Sequence, residues 1–134
     1  SRHQFLTHVP GLDYVIITAE HYIHAYNKFG DRMWVSQTRG IVETRGSLIG
    51  NFYLTVTKNN SYIQVTDVRD GSKIQQYHSN IGPCLAAPCW DGTNLAIHAQ
   101  NRGLYLFETN VIKDKKMANL IPVIEEKTND EIHY

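Results

Sequence analysis

Little in this sequence announces chemistry. It has only two cysteines, Cys84 and Cys89 in CLAAPC, separated by four residues rather than the two of a redox or zinc pair. They read as two buried or half-buried thiols. Thirteen Lys plus Arg balance thirteen Asp plus Glu and no strongly basic run occurs. The charge footprint of a phosphate-backbone binder is missing, so nucleic acid is not an expected partner. No apolar run approaches the roughly 20 residues that span a bilayer, and the N-terminus lacks the charged and apolar regions of a signal peptide. The expectation is a soluble, intracellular and cytoplasmic chain with no membrane partner. A Gly-rich phosphate loop, a nucleophile elbow, paired histidines on a helix and an acidic metal loop are also lacking. The expectation is therefore no cofactor, no catalytic residue and no enzyme.

What remains is a 134-residue chain, 42% hydrophobic and 19% charged, enough apolar content for one folded core. In YIQVTDVRDGSKIQQY, residues 62–77, Ile63 and Val65 alternate with Gln64 and Thr66, the period-2 pattern of a strand with one face buried. Asp70-Gly71 then supplies a tight turn, and KIQQY returns as the partner strand. Forty residues earlier, YIHAYNKFGDRMWV places Ile23 and Ala25 at the positions of Ile63 and Val65, with Phe29-Gly30-Asp31 at the turn. Forty-one residues after Ile63, GLYLFETN places Leu104 and Leu106 at the same inward positions.

Each copy is preceded by another extended run, DYVIITAEH, NFYLTVTKNN and NLAIHAQNR, rich in β-branched and aromatic residues. A further strand is expected before the second and third, in GIVETRGSLIG and PCLAAPCWDGT. The first such run is expected to turn at His21. The unit is thus four antiparallel strands in about 40 residues, the signature of a β-propeller blade. A compact β-sandwich or meander is the alternative, because hairpins recur in any all-β fold.

Residues 11–110 resemble the broad β-propeller group. IQVTDVRDGSKIQQY is similar to the end of a WD-repeat blade, with Thr66 where the signature Trp would precede Asp67. YIHAYNKFGDRMWV resembles a pyrroloquinoline-quinone-type repeat, with Trp34 after the Gly-bearing turn. The Gly-His start of a WD repeat is absent. The resemblance implies about three blades in residues 1–112. The tail, 113–134, breaks the pattern: KDKKMANLI reads as a short helix that Pro122 interrupts or ends, the segment is expected to serve as a terminal capping strand or helix or else as a partner peptide, and the last residues are expected to be flexible.

Three blades do not close a ring of four to eight, and an open edge invites another chain. The expected function is a non-catalytic protein-interaction or assembly module that self-associates, or that completes a larger propeller or complex as one subunit. The alternatives are a lectin-like domain binding carbohydrate or another small ligand and, third, a viral or phage structural component.

Candidate binding residues follow from the aromatic content, in which tyrosines outnumber phenylalanines eight to four. Trp34 and Trp90, near turns, are candidates for exposed anchors, with Tyr26 beside them. Arg39 and Arg45 repeat a Thr-Arg-Gly triplet around Glu43 and read as an ion-paired sheet surface or as a loop for an acidic group. Leu120 and Ile121 make the tail too apolar for an idle linker. No metal site is expected. His21 and His24, three apart, would share a metal only if a turn intervened. His98, inside an apolar strand, reads as a half-buried, hydrogen-bonded residue.

Overall fold

A computed structural model describes residues 4–57, 62–79, 82, 84, 86–99, 103–108 and 121–126. Among these residues every regular element is a strand. The first sheet is β1 (Gln4–Val9), β2 (Tyr14–Tyr26) and β3 (Arg32–Val42). The second is β4 (Ser47–Ile49), β5 (Phe52–Val56), β6 (Tyr62–Asp67) and β7 (Lys73–His78). The third is β8 (Cys89–Trp90), β9 (Asn94–Ala99), β10 (Gly103–Glu108) and β11 (Ile121–Glu126). Each is an antiparallel meander whose spatial order is its chain order, as short turns between consecutive strands dictate.

The sheets stack so that the second is covered on both sides. Val9, Ile16 and Ile23 of the first sheet pack against Tyr53 and Val68. On the other side, Leu54, Val56, Ile63 and Val65 pack against Trp90, Leu95, Ile97, Tyr105 and Phe107 of the third. Sequence records this position: every residue of Phe52–Val56 is buried, because a strand sandwiched between two sheets has no solvent face and needs no polar alternation. Each fully buried aliphatic side chain here contributes about 1.5–3 kcal/mol. The three-layer stack sets aside the two-sheet sandwich.

Turn chemistry fixes the hairpins. At β6–β7, Gly71 takes φ +80°, its N–H donates to the Asp67 carbonyl (2.8 Å) and the Asp67 N–H donates to the Ser72 carbonyl (2.9 Å). The buried Asp67 carboxylate accepts from the Arg69 backbone and from its guanidinium at 3.0 and 2.7 Å, which raises the Arg69 pKa through that hydrogen bond and then through Asp67's charge. At β8–β9, Asp91 Oδ1 accepts from the N–H groups of Thr93 and Asn94 (2.8 and 2.6 Å). These bonds hold the Asp91 carboxyl below its ordinary pKa.

Three expectations change. The first sheet has three described strands rather than four, and β2 runs straight through the turn expected at His21. Glu20, at φ +52°, and the register shift between Glu20 and Tyr22 form a bulge there. The bulge is required by parity: Ile16 and Thr18 face inward before it, Ile23 and Ala25 after it, and only one extra residue lets even and odd positions share a face. In the third sheet the inward residues are Tyr105 and Phe107, each 2% exposed, while Leu104 is 39% exposed; the repeat is one residue out of step there, which exchanges the faces.

The tail supplies a strand. Ile121–Glu126, including Pro122, pairs with β10 as the outer strand of the third sheet, where a missing N–H is tolerated. The other residues of the expected helix, and the chain end, lie outside the described residues.

Candidate functional site

Among the described residues, a stack of three sheets leaves two faces uncovered: one on the first sheet, one on the third. On the first, the bulge sets Tyr22, His24 and Tyr26 side by side, with ring centroids 6.0 and 6.2 Å apart. Register places Val35 opposite His24 and Gln37 opposite Tyr22, so β3 adds Val35 and, by alternation, Met33. Leu6, paired with Ile17, points the same way. Of six exposed large hydrophobic side chains among the described residues, four stand on this face: Leu6 (58%), Tyr22 (43%), Met33 (45%) and Val35 (44%). The concentration is what matters, since scattered apolar residues are ordinary on any surface. His24 is half-buried among them. Its pKa is lowered, first by desolvation and then by the charge of Arg32.

The open face of the third sheet is smaller in texture. Cys89, Ala96 and Leu106 lie in one register row, with His98 and Leu104 in another. Cys89 and His98 are exposed. Neither therefore fits the half-buried setting expected for it: alternation along β8 and β9 turns both away from the core while Trp90 and Ile97 turn in.

The two tryptophans are not exposed anchors. Trp90 is 6% exposed in the main core, directed inward opposite Leu95. Trp34 is half-buried and joins two sheets: its Nε1–H donates to the Val68 carbonyl at 2.9 Å, and its ring lies so close to the β6–β7 turn that a Cβ on Gly71 would stand 2.6 Å from Cε3. Tyr26 belongs to the open-face ladder. The Arg39 guanidinium lies 5.1 Å from the Tyr62 ring centroid, a cation–π contact, and Tyr62 stacks on His78 at 4.5 Å. Arg45 donates to the Leu6 carbonyl at 2.5 Å. Both arginines thus make contacts that link β3 or its following loop to other strands. Ile121 sits opposite Glu108 in the β10–β11 register, and Leu120 lies outside the described residues.

His21 stands at the bulge and His24 in the ladder. Among the described residues no three His, Cys, Asp or Glu side chains gather as a metal site. A depression of about 500 Å³ lies between the β1–β2 and β4–β5 turns, lined by His8, Pro10, Gly11, Leu48, Gly50 and Asn51; His8 is its one titratable lining group. Leu6, Met33 and Val35 were not singled out by the sequence reading. The signal was available in Met33-Trp34-Val35: three consecutive large apolar residues in a strand place hydrophobic groups on both faces.

No protein-family model and no curated protein sequence matches the chain. Solved structures do. BamB from Moraxella catarrhalis aligns over 86% of this chain with a TM-score of 0.63 at 18% identity. The N-terminal domain of Nup159 aligns over 95% with a TM-score of 0.58 at 13% identity. Both are β-propellers. The fold is of the β-propeller type. Its three sheets are propeller-like blades, and the chain spans about a third of either structure it matches, 33% and 32% of their lengths.

Proposed function

We propose that this chain is a non-catalytic assembly module: a three-blade arc of a propeller that joins further blades or partner proteins through the open faces of its outer sheets. The observation that carries this reading is the concentration of Leu6, Tyr22, Met33 and Val35 on one uncovered sheet face. The middle blade is buried on both sides, as an interior blade of a ring is, whereas the first and third are each covered once. A blade face this apolar is most stable against another sheet, about 10 Å away with side chains interlocked. The carbohydrate-binding alternative loses its principal platforms, since Trp90 is in the core and Trp34 is committed to Val68.

The test is a photo-crosslinking side chain at Val35, on the open face, compared with one at Ser72, in an exposed turn, with the protein in its native cells. Crosslinks from Val35 to residues of another β-sheet, with little from Ser72, are expected. Absence of any sheet-face crosslink, together with specific glycan binding, would overturn the reading.

A further inference from the structure

Three hairpin turns, one in each sheet, share a device. Each begins with an Asn or Asp whose side-chain oxygen accepts the N–H of the residue two on: Asn27 from Phe29 (2.9 Å), Asp67 from Arg69 (3.0 Å) and Asp91 from Thr93 (2.8 Å). That second residue faces solvent in all three turns. Arg69 and Thr93 show that the turn itself needs nothing apolar there. Phe29 is nevertheless 77% exposed, the most exposed large hydrophobic side chain among the described residues.

The tip that carries the ring is fixed. Asn27 Oδ1 also accepts the Asp31 N–H (3.0 Å), the Asn27 N–H donates to the Asp31 carbonyl (2.9 Å), and the Gly30 N–H donates to the Asn27 carbonyl (3.0 Å). These hydrogen bonds order the backbone behind the ring before any partner arrives, which removes part of the ordering cost of binding. The Lys28 ammonium stands 5.4 Å from the Phe29 ring centroid, a cation–π contact that covers one face of the ring and leaves the other open.

We infer that Phe29 and Lys28 form an anchor for a partner protein whose receiving surface is an apolar socket with a carboxylate at its rim. The open ring face calls for the socket, as aromatic anchors do at interface centres, and Lys28 calls for the carboxylate. A lipid surface fits less well, because one ring is a small anchor and Asp31, exposed beside it, repels anionic headgroups. The anchor sits on the turn between β2 and β3, not on the sheet face that carries the assembly reading, so each can fail without the other.

The experiment places a photo-crosslinking side chain at Asp31, next to the anchor, in the whole chain in its native cells, and maps the residues it captures. A protein segment of apolar residues with an Asp or Glu among them is expected. In the same background Phe29→Ala should lower the crosslink yield about tenfold. Lys28→Glu should lower it too, whereas Lys28→Arg should not. Because Phe29 and Lys28 are exposed, these variants should keep the parent's β-sheet circular dichroism spectrum and urea midpoint, which makes a lost yield a lost contact.

A yield in Phe29→Ala equal to the parent's overturns the inference, and so does a captured surface that is polar throughout. Crosslinks to lipid, with pelleting of the chain on vesicles of phosphatidylcholine and phosphatidylglycerol that Phe29→Ala abolishes, overturn it in favour of a membrane surface. If Val35 captures a β-sheet while Asp31 captures nothing, the anchor is wrong and the assembly reading stands.

Discussion

Gly71 and Trp34 show how one residue can serve two blades. Gly71 adopts a left-handed backbone to turn β6 into β7, and the missing Cβ leaves room for the indole whose Nε1–H reaches Val68. Gly71→Ala should cost about 2–4 kcal/mol, the left-handed penalty for an L-residue plus overpacking against an indole that its hydrogen bond to Val68 holds in place. Trp34→Phe keeps most of the apolar contact and removes the donor, at about 1–2 kcal/mol. Urea denaturation checks both, and equal losses for the two variants would contradict the double role of Gly71. At the first interface the Tyr53 hydroxyl pairs with Thr18 Oγ1 at 3.1 Å and accepts from the Gly46 N–H at 3.2 Å. Tyr53→Phe leaves both partners short and should also cost about 1–2 kcal/mol. Sequence reading noticed Gly71 as a turn residue and Trp34 as an aromatic beside a turn. It could not see that the two touch, because 37 positions separate them in the chain and contact across blades is a property of the stack.

Elements were legible where local chemistry decides them. The β6–β7 and β2–β3 hairpins follow from period-2 alternation and Gly-bearing turns, and the short β4 and β8 fall inside the segments marked for them. Two failures share a cause, parity. The bulge in β2 was read as a turn because its left-handed residue is Glu20 rather than the glycine that usually marks such a position. The third repeat was aligned one residue off, and one residue exchanges inside for outside. The bulge makes a sharp prediction: with every residue kept, a β2 forced straight would put Tyr22, His24 and Tyr26 into the interface with the second sheet and expel Ile23 and Ala25, and Glu20→Val, whose branched side chain resists the left-handed backbone, drives it that way. The first sheet then loses its packing while the other two retain theirs. Hydrogen exchange should show loss of protection confined mainly to residues 4–42; protection there equal to the parent chain would mean the bulge is not what sets the face.

At the scale of the whole molecule the arc is a stack whose first sheet leaves an apolar face open among the described residues, and a titratable group sits on that face. His24 is held below its ordinary pKa of 6.5 by burial, with the charge of Arg32 adding to it. The groups around it on that face are His21, Tyr22, Tyr26 and Arg32. A partner sheet seated on this face, as the assembly reading has it, deepens the burial of His24 and makes its protonation costlier still. Because the bound form then takes up a proton less readily than the free form, association is complete above the free pKa and is lost as pH falls below it. Moving from about pH 7.5 to about pH 5.5 should weaken crosslinking from Val35 to the partner sheet, by a modest fold-change in affinity set by one histidine. His24→Gln should flatten that dependence while keeping the ring. An acid-induced loss that persists in His24→Gln would remove His24 as its cause. High ionic strength should leave the dependence largely in place, because the cost of charging a half-buried His24 is mainly desolvation, which salt does not screen.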